Sequence, residues 1–181
     1  TILGDHNVAN YLTAIAAVWG YVSAENIRKV AKEFSGVEHR IEFVRELDGV
    51  KYYNDSIASS PTRTIAGLKA FDKPVILLAG GYDKHIPYDV LGPVICQKVK
   101  RLYVNGATAS QIRAAVENAP EYSPGNPEIV DCGDFTAAVH AAAAAAQPGD
   151  VVLMSPASAA FDQFKNFMVR GAYFKKLVME L

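Results

Sequence analysis

The first apolar positions of the chain recur at helical spacing. They fall at intervals of three or four residues and are Val8, Tyr11, Leu12, Ile15, Val18 and Trp19. This spacing predicts an amphipathic helix. Ser23 is a good N-cap for a second helix over residues 24–34, and Gly36 is suited to end it. Two helices therefore precede the first strand, and we place a domain boundary at Gly36-Val37.

A hairpin is expected next, and after it helical patterns alternate with short apolar runs. Residues 41–45 and 50–53 flank Asp48-Gly49, a dipeptide typical of tight hairpin turns. The predicted helices then cover 60–70, 88–99 with a break near Gly92-Pro93, 110–118, 134–147 and 161–181, and the predicted strands cover 74–80, 101–105, 129–132 and 151–154. This alternation predicts an α/β fold, with a mostly parallel sheet and helices on both faces.

Composition and charge exclude several classes of protein. The 181 residues are 50% hydrophobic and 20% charged, with a formal net charge of -1. A chain so nearly neutral gives no electrostatic case for binding nucleic acid or an anionic membrane. Its apolar runs are shorter than the roughly 18 residues that a membrane span needs. Cys96 and Cys132 have neither disulfide nor zinc-site spacing, so we expect two buried free thiols and a cytoplasmic protein.

Polar clusters follow the predicted strands. They are Asn54-Asp55-Ser56, Gly80-Gly81-Tyr82-Asp83-Lys84, Gly106 and Ser155-Pro156-Ala157-Ser158. In parallel sheets ligands bind beyond the carboxyl ends of the strands, so these clusters favour a small-molecule site. Turns also favour Gly, Asn, Asp and Ser for conformational reasons alone.

Several individual side chains suit nucleotide or carboxylate chemistry. Asn7 and Asn10 share a helix face, and their amides could read a purine edge or could simply cap the helix. Asp55 could accept from ribose hydroxyls, and Lys84 offers a point charge to a carboxylate or phosphate. His39-Arg40, taken alone, is interpreted as a solvated pair.

Other kinds of site are not indicated. His6, His85 and His140 show no obvious partners, and neither a metal site nor a Ser-His-Asp triad is convincing. The glycines at 80 and 81 would let the backbone approach a ligand closely. There is no P-loop sequence.

Five blocks of the sequence, taken in order, resemble those of Mur ligases. They are Gly4-Asp5-His6-Asn7-Val8-Ala9-Asn10, Val37-Glu38-His39-Arg40, Tyr53-Asn54-Asp55-Ser56, Gly80-Gly81-Tyr82-Asp83-Lys84 and the run from Leu153 to Phe167, which continues through Arg170-Gly171. The last block resembles the branch of the family that adds D-glutamate to UDP-N-acetylmuramoyl-L-alanine. Each short block is weak evidence alone, but together they span the whole chain.

The resemblance implies a three-domain, ATP-dependent ligase of peptidoglycan synthesis. Residues 1–36 would be the last helices of the central domain, whose missing part would carry the P-loop, the Mg²⁺ ligands and a carbamylated lysine. Residues 37–181 would form a Rossmann-like C-terminal domain that packs against the central one and closes over ATP. We therefore interpret the chain as part of a longer protein, inactive by itself.

The same resemblance assigns residues. It implies ATP contacts for Asn7, Asn10, Arg40 and Asp55, and D-glutamate contacts for Ser59, Lys84, Phe161 and Phe167. Two positions depart from the family pattern: Ile57 stands where many members have Lys, and Ala160 where many have Ser. We hypothesise that Arg63 replaces the lost lysine toward D-glutamate; the alternative is a solvated arginine on a helix.

Other functions remain open at this stage. The chain could belong to a Mur ligase that adds another amino acid or to a folylpolyglutamate synthase, although the Asp162-Gln163-Phe164-Lys165-Asn166-Phe167 run argues against both. It could also be a nucleotide-binding module without catalysis. A P-loop in the upstream sequence would decide for the ligase.

Overall fold

The computed structural model describes residues 4–181, apart from the side chains of Asp5 and His6, so the prediction for His6 lies outside the described residues. The helices are α1 (Asp5–Val18), α2 (Ala24–Glu33), α3 (Pro61–Leu68), α4 (Gly92–Lys98), α5 (Ala109–Glu117), α6 (Phe135–Ala145) and α7 (Phe167–Glu180), with a short 3₁₀ helix at Asp89–Leu91. The strands are β1 (Glu42–Leu47), β2 (Val50–Asn54), β3 (Val75–Gly80), β4 (Val99–Asn105), β5 (Glu128–Asp131) and β6 (Val151–Met154).

The six strands form one sheet in the order β1-β2-β6-β3-β4-β5. The hairpin of β1 and β2 is antiparallel, as Asp48-Gly49 predicts, and the other neighbouring strands run parallel. The expected α/β class and mostly parallel sheet are confirmed.

Alternate residues of the central strands supply two separate hydrophobic cores. Leu77, Leu102 and Leu153 pack on one side with residues of α3, α4 and α5. Ile76 and Val152 pack on the other side with residues of α6 and α7. Since β3 is buried along its whole length, it reads in sequence as a continuous apolar run.

Two details of the sequence interpretation are wrong, the start of the last helix and the burial of the cysteines. The last helix begins at Phe167 rather than at residue 161, because Asn166 caps it and the residues before form turns. The predicted break in the helix over 88–99 is confirmed, since the 3₁₀ helix Asp89–Leu91 gives way to the short α4 at Gly92. Cys96 and Cys132 are free thiols, but each is partly exposed. Of the helices described, none has the length and apolarity to cross a membrane.

Candidate functional site

The carboxyl ends of four strands meet at one edge of the sheet. Asn54 of β2 pairs with Met154 of β6, which also pairs with Leu78 of β3. Gly80 of β3 in turn pairs with Asn105 of β4. The polar segments that follow these strands therefore lie along a single edge, as the parallel topology predicts.

Asp55 is a buried carboxylate at this edge. The Ser155 hydroxyl donates to its Oδ2 at 2.7 Å, and the Ile41 amide donates to its Oδ1 at 3.3 Å. Burial raises the pKa of Asp55 to about 6, although these two hydrogen bonds and the charges of Arg40 and Arg63 oppose that rise.

Helix α3 packs directly against this carboxylate. A methyl group at Gly67 would come within 2.8 Å of Asp55 Oδ2, so the helix needs a residue without a side chain there.

The segment before β1 is fixed by His39. This residue is only 5% exposed, and its Nδ1 accepts from Asn54 Nδ2 at 2.9 Å. His39 and Ile41 both have positive φ values, 65° and 44°. Because Ile41 is β-branched, its backbone is strained there, and strain of this kind is often found at functional sites. Arg40 lies between them with an exposed side chain. The interpretation of a solvated pair is therefore right for Arg40 and wrong for His39.

A cavity of about 270 Å³ opens above Asp55. Its lining residues are Asn10, Arg40, Ile41, Asp55, Ile57, Ala58, Arg63, Ala66 and Gly67. The Arg63 guanidinium donates to the Ile57 carbonyl at 3.2 Å. The cavity thus combines one buried carboxylate with two guanidinium groups.

A larger apolar groove of about 520 Å³ lies between α1 and α2. Asn7 and Asn10 stand at its edge on one helix face, as their spacing predicts, and Asn10 Nδ2 donates to Asn7 Oδ1 at 3.3 Å. Asn10 and Arg40 line both the groove and the cavity above Asp55. The structure therefore brings Asn7, Asn10, Arg40 and Asp55 into one continuous site.

The second set of predicted residues is more dispersed. In the part of the chain that is described, Ser59, Lys84, Phe161 and Phe167 line neither the groove nor the cavity. Lys84 is exposed, and Ser59 is half-buried.

Contacts tie the two phenylalanines to different segments. Phe161 is 63% exposed, and its ring meets that of Tyr82 edge-on at 5.8 Å. Phe167 meets the buried His39 ring edge-on at 5.9 Å. Sequence reasoning missed Tyr82 as an exposed aromatic partner, although its place after Gly80-Gly81 was a usable signal.

The glycines at 80 and 81 serve packing between protein segments. Both have positive φ values, 122° and 145°. A side chain at Gly80 would collide with the Asn105 carbonyl, and one at Gly81 with the Ala159 carbonyl. The close approach that the sequence suggested toward a ligand is thus made to neighbouring backbone.

The long motif before and within α7 is largely scaffold. Asp162 Oδ2 accepts from the Ala107 amide at 3.3 Å, and Gln163 Oε1 accepts from the Phe135 amide at 3.0 Å.

Arg170, 1% exposed, holds the loops beside the site. Its Nε donates to Ser56 Oγ at 3.1 Å. Its Nη atoms donate to the carbonyls of Ser56, Ser158 and Ala159, each at 3.0 Å. Sequence reasoning gave Arg170 no role; a lone arginine in a helix carries no sign of burial.

One group of described side chains has metal-ligand spacing: Glu38, His39 and Glu42. Lys175 Nζ lies 2.6 Å from Glu38 Oε1 and 3.0 Å from Glu42 Oε1, so an ammonium group already neutralises these carboxylates. His39 Nδ1 is taken by Asn54. The group does not fit Mg²⁺, which favours oxygen ligands in octahedral geometry. His85, for which no partner was predicted, lies 3.4 Å from Asp83.

Solved structures share the fold of the chain. The folylpolyglutamate synthase of Mycobacterium tuberculosis, complexed with ADP and AMPPCP, superposes with a TM-score of 0.66 at 15% identity, covering 96% of this chain and 41% of that one. Identity this low shows the fold alone.

Sequence relatives are much closer. A protein of Acetivibrio thermocellus named UDP-N-acetylmuramoylalanine–D-glutamate ligase is 57% identical over 179 residues, which are 98% of this chain and 38% of that protein. Its namesake from Clostridium perfringens is 52% identical over 98% of this chain and 39% of its own length. The chain therefore spans less than half the length of these relatives. A family model described as the glutamate ligase domain of Mur ligases matches residues 39–158, so the chain belongs to the Mur ligase family.

Proposed function

We propose that this chain is the C-terminal part of an ATP-dependent ligase that adds D-glutamate to UDP-N-acetylmuramoyl-L-alanine in peptidoglycan synthesis. The observation that carries the proposal is the 57% identity over 98% of the chain to a ligase with that name. Because the chain spans 38% of that relative, the activity is proposed for the full-length protein.

The proposed reaction makes an amide bond from a carboxylate, which is a poor acylating agent. The carboxylate of the UDP-linked substrate attacks the γ-phosphorus of ATP and releases ADP, giving an acyl phosphate. The D-glutamate amine then attacks the acyl carbon and displaces phosphate. The residues of this chain contribute by positioning the two smaller substrates, which removes much of the entropic cost of their meeting.

The nucleotide side of the site comprises Asn7, Asn10, Arg40 and Asp55. Asn7 and Asn10 offer amide donors and acceptors that suit the adenine edge. Asp55 accepts from ribose hydroxyls, and Arg40 supplies positive charge toward the phosphates. The shared lining of the groove and the cavity supports this assignment, because one ligand can span both.

The D-glutamate side comprises Ser59, Lys84, Phe161 and Phe167. Lys84 follows β3 at the carboxyl edge of the sheet and is exposed, so its ammonium group can meet a carboxylate. Phe161 is exposed beside Tyr82 and can cover the aliphatic part of the amino acid. Ala160, which stands where many family members have Ser, is only 2% exposed, so we do not assign it a contact with D-glutamate.

The helices α1 and α2 are proposed to belong to the central domain of the full-length protein, with residues 37–181 as the C-terminal domain. Large apolar side chains are exposed on α1, with Val8 at 59% and Leu12 at 62%, and in the segment between the two helices, with Trp19 at 70% and Tyr21 at 91%. A surface of this kind is typical of an interface. We expect the upstream part of the protein to cover it and to supply the Mg²⁺ ligands. ATP use and two free thiols favour a cytoplasmic location.

A phosphate-release assay on the full-length protein tests the function. With UDP-N-acetylmuramoyl-L-alanine and ATP present, D-glutamate should stimulate release, and L-lysine, L-alanine and diaminopimelate should not. Stimulation by another of these amino acids would assign the protein to another Mur ligase. ATP binding without release under any condition would favour a non-catalytic module.

Two substitutions in the full-length enzyme separate the two sides of the site. Asp55→Ala should raise the KM for ATP by about tenfold to a hundredfold, the range of a lost charged hydrogen bond. Lys84→Ala should weaken D-glutamate use by roughly 2 to 4 kcal/mol and leave ATP largely unaffected. The reverse pattern would remove both residues from their assigned sides.

A further inference from the structure

Arg63 lines the cavity above Asp55. It belongs to the first turn of α3, and its guanidinium folds back over six residues to donate to the Ile57 carbonyl at 3.2 Å. That contact holds the side chain at the wall of the cavity above Asp55. An exposed arginine without an anchor would sample many rotamers, whereas this one is partly ordered before any ligand binds.

The charged groups that line the cavity suit a ligand that carries both hydroxyl groups and an anionic group. Asp55 can accept from hydroxyl groups, while Arg40 and Arg63 line the same cavity. A guanidinium carries five N–H donors, and among the described residues Arg63 uses one of them, toward Ile57. The remaining donors suit an anion, and a phosphate oxygen pair matches their planar geometry.

We infer that Arg63, together with Arg40, binds a phosphate group of the nucleotide whose sugar meets Asp55. A nucleoside phosphate carries both required features, adjacent hydroxyls and an anion, on one molecule. This inference rests on the proposed function. It moves Arg63 from the D-glutamate side, where the sequence hypothesis put it, because Arg40 and Asp55 line this cavity whereas Ser59, Lys84, Phe161 and Phe167 do not line its described walls. Ile57, the position of the family lysine, also lines the cavity, and its backbone carbonyl accepts from Arg63.

The test measures dissociation constants of ATP, ADP, AMP and adenosine for the full-length protein by calorimetry. Arg63→Ala should weaken ATP, ADP and AMP by about tenfold or more, the effect of losing a charged hydrogen bond, and leave adenosine unchanged. Arg63→Lys should restore part of the affinity, since it keeps the charge without the planar fork. The KM for D-glutamate should stay at the wild-type value.

Lys69→Ala is the matched control, because Lys69 is an exposed cation at the other end of α3 and does not line the cavity. Lys69→Ala removes one positive charge, as Arg63→Ala does, and should leave the dissociation constants of ATP, ADP, AMP and adenosine unchanged. Wild-type nucleotide affinity in Arg63→Ala, or an effect only on the KM for D-glutamate, would overturn the inference. The proposed function is tested separately, by Asp55→Ala and by the phosphate-release assay. An equal loss for adenosine would also overturn the inference, since adenosine carries no phosphate.

Discussion

Asp55 is a buried carboxyl group whose ionisation opposes folding. Asp55 is 3% exposed, and its pKa of about 6 lies above the ordinary value of 3.8 because burial disfavours the charged form. Ionisation at neutral pH therefore costs folding free energy. Buried ionisable groups with shifted pKa values are common at functional sites, which agrees with the proposed hydrogen bond from the ribose to Asp55.

The pH dependence of stability follows from the direction of this shift. A carboxyl group with a raised pKa binds its proton more tightly in the folded state, so its stabilising contribution is present below pH 4 and lost as pH rises to 6. The gap between the two pKa values corresponds to roughly 3 kcal/mol. We expect Asp55→Asn to gain stability relative to wild type between pH 4 and 7, as measured by urea unfolding.

Asp72→Asn controls for the loss of a negative charge, because Asp72 is exposed. Its free energy of unfolding should stay parallel to that of wild type across the same pH range. Parallel curves for Asp55→Asn as well would show that Asp55 has an ordinary pKa in the folded chain.

Arg170 is the second residue whose effect should be large. Its four hydrogen bonds tie α7 to the segments at Ser56 and at Ser158–Ala159. Arg170→Lys keeps a buried charge but cannot reach all four acceptors, and buried carbonyls left unpaired are costly. We expect a loss of roughly 2 to 4 kcal/mol in the free energy of unfolding.

The matched control is Arg45→Lys. Arg45 also donates to two backbone carbonyls of α7, those of Val178 and Met179, but it lies partly exposed at the far end of the helix. Water can replace its hydrogen bonds, so its loss should stay below about 1 kcal/mol. Equal losses for the two variants would contradict the role assigned to Arg170.

At the scale of elements, helix caps decide where the chain turns. The side chains of Ser23, Asp134 and Asn166 each accept from the amide three residues on. Ser60 occupies the same position before α3 but makes no such bond. The sequence shows that a residue able to cap stands before each helix. It does not show whether the side chain makes the capping hydrogen bond.

Asn166→Ala should therefore destabilise the chain by about 1 kcal/mol, the usual value of a cap hydrogen bond. Ser60→Ala should cost much less, because the lost hydroxyl was not capping. Thermal unfolding of both variants measures the difference. A larger loss at Ser60 than at Asn166 would contradict the geometry of the two caps.

The strands and most helices were predictable because their signals are local. The Asp48-Gly49 turn, the buried run of β3 and the cap at Ser23 each depend on neighbours in sequence. The start of α7 was not predictable, because Asp162 and Gln163 bind backbone amides of distant segments instead of continuing a helix. Tertiary contacts outweighed helix propensity there.

The site was predictable in part for the same reason. The strand-end rule correctly places Asp55 at the carboxyl edge of the sheet, directly after β2. The burial of His39 and Arg170 depends on partners more than ten residues away, Asn54 for one and Ser56 for the other. Such long-range contacts cannot be predicted from local sequence patterns.

At the scale of the whole molecule, the two hydrophobic cores separate the C-terminal domain from the two helices that precede it. In the described part of the structure, both cores draw their buried residues from Val50 onward. Helix α2 has no buried residue, and the family model begins at residue 39. The described part of residues 4–36 thus adds exposed apolar surface without adding a buried residue to either core.

Removing residues 1–36 is the test of this division. We expect residues 37–181 to fold with a Tm close to that of the whole chain and with less self-association at high concentration. Removal of α7 is the control, because Phe174, Leu177 and Val178 are buried in the second core. Each such side chain contributes about 1.5 to 3 kcal/mol, and together they approach the total stability of a domain. If the N-terminal deletion unfolded the chain as the loss of α7 should, α1 and α2 would belong to the C-terminal domain and the boundary at Gly36-Val37 would be wrong.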